Sequence, residues 1–416
     1  MMGTGRADWE VRLMTAAGAV FGVEVGADSV RVAVLGDQLA VLDHVQLRYP
    51  RGTLDPYAAL DAVFAAIDRC VQLCATRQLP VRGMALAGSG DTLVGLDELD
   101  RPMTPVFAGP DPQTRALAQR IGPALRHATG VTAHGGSPLV RLAWFAEHGP
   151  DLLTRVARWC ELKDFVLSRL TARVLADTSC ASAGGLLAVA EPEWSAKALE
   201  LAGIGAAQLP PLVDPTDQVP LVTEAAQLLA LPALLPLVVG GAGLPLAALG
   251  MGVTDTGTAA LWLGSRLVLA VLSRRPVADD VLFTQRLADG VWAVGVDLSD
   301  GQAPPAVRVD GLGRLLVAAS EALTAAGTPI SRVRVDPAVL KVPMAAEVVA
   351  TALGVPVEIA PDEPPAAVGA ALLAARTLGF ATGIEAAART RSAVRTVAPD
   401  PQLSAADVER LSGSSR

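Results

Sequence analysis

Two short turns carry residue types that could hold a phosphate. One contains Gly26 to Asp28 between two alternating apolar stretches, and the other contains Gly264 to Arg266 between the runs "TAALWL" and "LVLAVL". Small residues let the backbone N–H groups of a turn approach an anion closely. Two such turns that face each other could hold the phosphates of a nucleotide between two lobes. Each turn must then be carried by a hairpin of strands.

A second feature is the glycine-rich stretch "PLVVGGAGLPLAALGMG" at 236–252, inside a region without Asp, Glu, Lys or Arg between Glu224 and Asp255. About 20 apolar residues can span a bilayer, so the length alone allows a membrane helix. The prolines and glycines of this region would break that helix repeatedly in hydrocarbon, where unpaired backbone groups are costly. The pattern instead predicts a buried strand at 235–239, a glycine turn, and a small-residue helix at 244–249.

The composition is typical of a folded protein with two domains. The chain has 416 residues, of which 51% are hydrophobic and 18% charged, which is too long for one ordinary core. The formal net charge of -8, with scattered acidic and basic residues, argues against a nucleic-acid partner. The cysteines have no ligand-like neighbours, so we expect reduced, buried thiols in a cytoplasmic protein. Acidic residues near the N-terminus argue against a signal peptide.

The first 90 residues predict the order β-β-β-α-β, with three alternating strands, an amphipathic helix that begins at the pair Asp55 and Pro56, and the strand "VRGMALAGS". From Gly257 onward the chain repeats this order, with a hairpin followed by alternating helices and strands. We therefore expect a duplicated α/β unit. The predicted domains are 18–252 and 257–395, with flexible ends at 1–15 and 400–416.

Several segments occur in an order that resembles one enzyme family. They are "GVEVGADSVRVAVL", "LAGSGDTLVGLD", "LKDFVLSRLTARVLADTSCASAGGLLAV", the stretch at 236–252, "LGVPVEI" and "PAAVGAALLA". They resemble segments of the FGGY carbohydrate kinases, particularly the gluconate and xylulose kinases, from about Phe21 to Gly379. The resemblance implies an α/β fold of two tandem actin-like, ribonuclease-H-like mixed-sheet domains with a cleft between them.

The resemblance also implies where the catalytic base should lie. In the family the base is the Asp of a G-G-G-D-N segment, and counting back from Gly252 places Gly243 at that position, followed by Leu244 where the family has Asn. Such a carboxylate accepts the proton of the sugar hydroxyl, and loss of a general base costs about 10²–10⁴ in rate. No catalytic residue is therefore intact in this interpretation.

The first phosphate turn is altered in the same comparison. Glu24 replaces the family's Asp, which orders metal-bound water, and is the candidate metal residue. Gly26 belongs to the turn, where Ala27 and Asp28 replace two hydroxyl residues. A carboxylate close to polyphosphate repels it unless Mg²⁺ screens the charge. The alternative interpretation of Asp28 is an ordinary turn residue.

The second turn and the adenine loop are altered as well. Gly264 and Ser265 keep part of the family's G-T-S-G turn, and Arg266 is interpreted as a solvated cation or, alternatively, a phosphate ligand. The adenine loop maps onto "PAVLKVP", where residues 337–339 replace glycines and would fill the space of the base. Lys341 takes a position that is basic in many relatives, or is a surface lysine.

The sugar side retains more polar residues. Asp91 falls where the family has the His of Q-M-H, and Gly90 replaces the Met. A buried carboxylate can accept hydrogen bonds from polyol hydroxyls, so Asp91 is the candidate substrate-binding residue, with a turn cap as the alternative. Asp177 and Ser179 are interpreted as structural.

These changes predict a degenerate carbohydrate kinase, shortened between Asp300 and Leu312, with a binding or regulatory role and no certain cofactor. Its expected partners are a small carbohydrate or polyol, a second copy of the chain, or an active kinase paralogue. The alternative is an active ATP-dependent sugar or aldonate kinase that uses Mg-ATP and relocated carboxylates, which would be Glu24, Asp28 and Asp91. A membrane role is not expected.

Overall fold

The computed structural model describes residues 18–402 except 110, 132, 278, 300–311, 342–344, 382–387 and 390. The shortened segment at 300–311 and most of the predicted flexible ends lie outside the described residues. The strands are β1 (Ala19–Val25), β2 (Ser29–Leu35), β3 (Val41–Arg48), β4 (Val81–Gly88), β5 (Thr92–Leu96), β6 (Phe107–Ala108), β7 (Arg158–Cys160), β8 (Ala176–Asp177), β9 (Leu212–Val213), β10 (Gln218–Pro220), β11 (Pro236–Ala242), β12 (Thr258–Leu263), β13 (Leu267–Ser273), β14 (Phe283–Arg286), β15 (Trp292–Asp297), β16 (Arg332–Val335), β17 (Val357–Ile359) and β18 (Arg395–Val397).

The α-helices alternate with these strands over both halves of the chain. They are α1 (Pro56–Thr76), α2 (Arg115–Thr129), α3 (Pro138–His148), α4 (Pro150–Arg155), α5 (Leu162–Thr171), α6 (Thr178–Ala183), α7 (Ala196–Ala202), α8 (Thr223–Leu228), α9 (Gly243–Gly250), α10 (Leu312–Ala325), α11 (Ala345–Leu353) and α12 (Pro365–Thr377). The predicted opening order β-β-β-α-β is confirmed by β1 to β4 with α1. Asp55 caps α1 as predicted, since its Oδ2 accepts the Ala58 N–H at 3.0 Å.

Two large sheets repeat one strand order. The first sheet has the order β10-β11-β4-β1-β2-β3, and the second has β14-β15-β13-β12-β16-β17-β18. In the first, β1 is antiparallel to β2 and parallel to β4, which is parallel to β11. In the second, β12 is antiparallel to β13 and parallel to β16, which is parallel to β17. Each sheet therefore has an antiparallel hairpin edge beside parallel strands, as a duplicated α/β unit requires.

Helices α9 and α12 form a layer between the two sheets. One continuous apolar core contains residues of both helices and of both sheets, among them Val20, Leu246, Ala270 and Leu372. The backbones approach very closely here, because a Cβ placed on Gly22 of β1 would lie 1.8 Å from the Ala367 carbonyl oxygen of α12. Only glycine permits that contact. On the outer faces, α1 covers the first sheet, while α10 and α11 cover the second.

Two sequence-based boundaries were wrong. The glycines at 240 and 241 continue β11 to Ala242 instead of forming a separate turn before α9. The apolar pattern of 152–159 likewise predicts a helix over the whole segment, but the helix ends at Arg155, and Arg158–Cys160 form β7 because they pair with β5 in a small sheet. Among the helices of the described residues, none combines the length and apolar character that a membrane span requires.

Candidate functional site between the two sheets

The first turn, between β1 and β2, holds its acidic residues in different environments. The Gly26 N–H donates to the Ser29 carbonyl oxygen at 3.0 Å and closes the turn. The Asp28 side chain is 68% exposed, and its Oδ1 accepts a hydrogen bond from Ser29 Oγ at 2.8 Å. Glu24 is buried, and its Oε1 accepts from Arg31 Nη1 at 2.9 Å. The turn is thus stabilised by local bonds, as ordinary hairpin turns are.

A second buried carboxylate, Asp336, follows β16 of the second sheet. Burial raises the pKa of Glu24, and the Arg31 guanidinium opposes that rise. Burial also raises the pKa of Asp336 to about 6, and the charge of Glu24 adds to the rise. Both oxygens of Asp336 accept backbone N–H groups, from Ala338 at 2.9 Å and from Leu263 at 3.4 Å. Two carboxylates therefore lie near each other between the sheets, each already bound to other groups.

The second turn, between β12 and β13, reaches across to the first half of the chain. Ser265 Oγ donates a hydrogen bond to Asp91 Oδ2 at 2.5 Å. Arg266 Nη1 pairs with Asp297 Oδ2 of β15 at 3.0 Å, and its side chain is only 14% exposed. The interpretation of Arg266 as a solvated cation was wrong, because its side chain is largely buried and paired with Asp297. The predicted phosphate turn and the predicted sugar-binding carboxylate are thus in direct contact.

His134 contacts the same carboxylate from the other side. Its Nε2 lies 3.2 Å from Asp91 Oδ1, while its Nδ1 accepts the Gly136 N–H at 3.1 Å. A neutral ring that accepts at Nδ1 must carry its proton on Nε2, the nitrogen nearer Asp91. The chain Ser265, Asp91, His134 has the carboxylate in the middle. It therefore lacks the contact between serine and histidine that nucleophilic catalysis requires.

The charges around Asp91 keep it ionised. Burial by itself raises the pKa of this carboxyl, but the charge of Arg266, the neighbouring His134 ring and the hydrogen bond from Ser265 hold the pKa well below its ordinary value. A general base works best when its pKa lies near the operating pH. Asp91 is thus suited to hold the two halves together and poorly suited to accept a proton.

Gly90 connects Asp91 to a buried charged cluster. Its φ is +74°, and a Cβ there would lie 2.7 Å from the Ala183 Cβ, so the position requires glycine. The Gly90 N–H donates to Glu161 Oε1 at 2.6 Å. A cavity of about 40 Å³ adjoins Gly90 and Glu161. It has room for a few waters and is too small for a carbohydrate, and the residues that line it all belong to the first half of the chain.

The charged cluster is formed by residues of α5 and β8. Lys163 is fully buried, and its Nζ lies 2.8 Å from Asp177 Oδ2 and 3.0 Å from Asp164 Oδ1. Asp177 Oδ1 also caps α6 by accepting the Ser179 and Cys180 N–H groups, each at 2.8 Å. This geometry agrees with the structural interpretation of Asp177.

Ser179 connects the charged cluster to the end of β11 through hydrogen bonds. Its Oγ accepts the Ala242 N–H at 3.0 Å and donates to the Arg286 carbonyl oxygen at 2.6 Å. Ala242 is the N-cap residue of α9, directly before Gly243. The buried Lys163 and Asp177 pair therefore fixes the backbone at the position where the sequence comparison expects a catalytic carboxylate.

Trp262 occupies the space next to Gly243. A Cβ placed on Gly243 would lie 3.6 Å from Cη2 of Trp262 and 3.1 Å from the Gly88 carbonyl oxygen. The same ring lies against the second turn, since a Cβ on Gly264 would lie 2.3 Å from it. A side chain at 243 would therefore lie in van der Waals contact with the indole ring and would press on the Gly88 carbonyl oxygen.

The segment at the predicted adenine loop is a 3-10 helix, Pro337–Lys341. Val339 is fully buried in the core of the second sheet, while Lys341 is exposed at the end of the helix. The Val339 N–H donates to the Asp336 carbonyl oxygen at 2.9 Å. The segment is thus part of the core rather than an open glycine loop.

Residues 19–250, more than half of the chain, match the sequence model of the FGGY family of carbohydrate kinases, N-terminal domain. The chain belongs to this family. It is 23% identical over 296 residues to a gluconokinase of Bacillus subtilis (strain 168), an alignment that covers 68% of this chain and 58% of the relative. It is 26% identical over 230 residues to a xylulose kinase of Lactococcus lactis subsp. lactis (strain IL1403), which covers 53% of this chain and 46% of the relative.

Solved structures of FGGY kinases share the fold. The gluconate kinase from Lactobacillus acidophilus superposes with a TM-score of 0.83 at 17% identity, covering 96% of this chain and 96% of that chain. The xylulose kinase from Rhodospirillum rubrum gives a TM-score of 0.79 at 20% identity, covering 95% and 97%. The predicted two-domain actin-like fold is confirmed. The alignment to the Bacillus subtilis gluconokinase spans less than two thirds of that relative's length.

We call the space between the two turns the crevice; it contains Asp91, Gly243 and Ser265. Sequence reasoning on this FGGY chain missed three further residues of the crevice, His134, Trp262 and Asp336. Asp336 directly follows the short strand "RVRV", which the sequence reading did not assign as β16. Recognition of that strand beside β12 would have placed Asp336 at the edge that carries the second turn. No local sequence pattern marks His134 or Trp262 as part of the crevice, because each belongs to it through a contact with another segment of the chain.

The bond between Ser265 and Asp91 gives a first testable prediction. A double-mutant cycle of Ser265→Ala and Asp91→Asn should give a coupling free energy of about 1.5–3 kcal/mol, the range for hydrogen bonds to charged groups. Urea unfolding of the four proteins measures it. Ser331→Ala is the control, because Ser331 Oγ bonds the Gly257 carbonyl oxygen at the opposite end of β12. Additive effects of Ser265→Ala and Asp91→Asn would exclude the contact.

Proposed function

We propose that this chain is a degenerate FGGY kinase, which keeps the two-lobed fold but does not transfer phosphate and acts as a binding or regulatory protein. Its partners would be a small carbohydrate or polyol, a second copy of the chain, or an active kinase paralogue in the cytoplasm. The match to the FGGY family and the kinase relatives support the kinase origin of the chain. The residues of the crevice support the loss of activity.

The contact between Ser265 and Asp91 carries this proposal. Ser265 belongs to the turn expected to hold phosphates, and Asp91 is the carboxylate expected to hold the sugar. The Ser265 hydroxyl donates a hydrogen bond to Asp91 at 2.5 Å. A phosphoryl group in transfer must lie between these two groups. In this closed arrangement the two groups leave no space for it.

Neither of the two positions expected to meet the sugar offers a suitable general base. Position 243 is glycine, and Trp262 lies against it. Asp91 is held ionised with a pKa well below its ordinary value, so it is a weak proton acceptor. These observations support loss of the proton-transfer step.

The residues present do not fit Mg-ATP. Glu24, the candidate metal residue, binds Arg31 at 2.9 Å, and Asp336 accepts two backbone N–H groups. Among the described residues, no three His, Cys, Asp or Glu side chains gather as a metal site. Val339 fills the core at the adenine-loop position. No catalytic step through Mg-ATP follows from these residues.

The test combines binding with turnover. The native chain should show no thermal stabilisation by Mg-ATP, whereas a competent site at 100 times its Kd would add about 2.7 kcal/mol. It should release no ADP over a panel of pentoses, hexoses, polyols and aldonates. Gly243→Asp restores the missing carboxylate, and Trp262→Ala removes the ring that lies against it. ADP release gained only in that double variant would support the assigned position, and clear stabilisation of the native chain by Mg-ATP would contradict the proposal.

An active kinase with relocated carboxylates is the second candidate. Asp336 favours it, because a carboxyl with a pKa of about 6 beside Glu24 is closer to the value a general base needs. This candidate would use Mg-ATP and requires sugar-dependent ADP release by the native chain. Loss of that release in Asp91→Ala and in Asp336→Asn would establish it.

A further inference from the structure

Four arginines line a polar pocket at the end of the second sheet where β12 and β16 begin. The pocket has a volume of about 250 Å³ and is lined by Gly252, Thr254, Asp255, Thr258, Arg332, Arg334, Arg389 and Arg391. Thr258 and Arg332 begin β12 and β16, whereas the turn at 264–266 follows the other end of β12. Six strand residues span roughly 20 Å. The arginine pocket is therefore separate from the crevice described above.

Arg334 and Arg391 are held in place by backbone oxygens and glutamates. Arg334 Nη1 donates to the carbonyl oxygens of Met251 at 2.6 Å and Arg391 at 2.8 Å, and its Nε pairs with Glu358 at 2.9 Å. Arg391 is 7% exposed, and its guanidinium bonds the Gly250 carbonyl oxygen and pairs with a glutamate. These bonds position two guanidinium groups in advance of any ligand.

The pocket has more arginines than carboxylates around it. Glu358 is shared between Arg334 and Arg332, which lies 3.6 Å away. Within the part of the chain that the structure describes, no carboxylate forms an ion pair with Arg389. Asp255, Glu358 and Glu363 thus face four arginines, although the whole chain carries a net charge of -8.

Repulsion between the arginines supports the same conclusion. Burial lowers the pKa of Arg391, and the nearby charge of Arg334 lowers it further. An anion in the pocket would relieve this repulsion. Guanidinium groups bind phosphate through two parallel N–H bonds, which makes arginine the usual residue for this ligand.

We propose that this pocket binds the phosphate group of a small phosphorylated metabolite. The pocket joins three segments: the connection from α9 to β12, the start of β16, and the residues after α12. Because α9 and α12 pack between the sheets, a ligand here bridges the joint between the two halves of the molecule. The site is independent of phosphoryl transfer and of the crevice.

Titration calorimetry at constant ionic strength tests this site with inorganic phosphate and glycerol 3-phosphate, with glycerol as the uncharged comparison. We expect saturable binding of the two phosphates and none of glycerol. Arg389→Gln and Arg332→Gln should each weaken binding by about tenfold or more, since each removes a charged donor. Arg395→Gln is the matched control, because Arg395 is 65% exposed and pairs with Glu347 outside the pocket. It should bind as the native chain does.

The crevice is the competing location for a phosphate. Ser265→Ala should leave phosphate binding unchanged, because Ser265 does not line the arginine pocket. Binding that is lost in Ser265→Ala but kept in Arg389→Gln would overturn the proposal. Equal weakening in Arg389→Gln, Arg332→Gln and Arg395→Gln would mean that only the net charge of the chain matters, and would also overturn the proposal. The absence of saturable phosphate binding by the native chain would overturn it as well.

Discussion

Replacement of Lys163 by methionine is expected to lower the free energy of unfolding by about 3–5 kcal/mol. Lys163 Nζ is fully buried and lies 2.8 Å from Asp177 and 3.0 Å from Asp164. Methionine has a similar length but no charge, so it leaves both carboxylates buried without their cation. Removal of one partner of a buried pair costs far more than the pair itself contributes.

This change should also disturb the crevice. Asp177 caps α6, and Ser179 at the start of that helix accepts the Ala242 N–H, so the cluster fixes the backbone before Gly243. Urea unfolding measures the loss of stability. Lys197→Met is the control, because Lys197 is 48% exposed and pairs with Glu200 on the surface, where such pairs contribute about 0–1 kcal/mol. Similar effects of the two substitutions would contradict the assigned role of Lys163.

Stability is expected to fall by about 2–4 kcal/mol as the pH rises from about 5 to 8. Burial raises the pKa of Glu161 to about 7, and the charge of Asp164 adds to the rise. Burial raises the pKa of Asp164 to about 6, against the opposing charge of Lys163. Asp336, whose pKa is raised by burial to about 6, acts in the same direction.

The sign follows from proton binding. Between the ordinary carboxyl pKa and the raised value, the folded chain holds a proton that the unfolded chain has released. Stability is therefore greatest below the ordinary pKa and is lost as the pH rises through the raised one. A pair of carboxylates with lowered pKa values would give the opposite slope over lower pH.

Urea unfolding between pH 5 and 8 measures this slope. Glu161→Gln keeps an acceptor for the Gly90 N–H but cannot ionise, so the slope should become shallower and the variant should be more stable than the native chain at pH 8. Glu200→Gln removes a carboxylate that is 70% exposed and should leave the slope unchanged. A native chain whose stability rises with pH over this range would exclude the buried cluster as described.

The sequence predicted elements whose signals are local. The pair Asp55 and Pro56 marks the start of α1, and alternating apolar residues mark the hairpins β1–β2 and β12–β13. These signals are reliable because a cap or an alternation involves only neighbouring residues. The boundary at Arg155 was missed because the pairing of β7 with β5, distant in sequence, overrides the helical pattern.

The sequence by itself also determined that position 243 carries no side chain and that residues 19–250 match the N-terminal domain of the FGGY kinases. Only the tertiary structure decided what fills the crevice. Trp262 lies against Gly243, Ser265 bonds Asp91, and Arg266 is buried, although the sequence of that turn reads as exposed. The physical reason is that packing of α9 and α12 between the sheets brings residues over 170 positions apart into contact. Neither composition nor spacing encodes such contacts locally, so their charges, burial and pKa values follow only from the assembled fold.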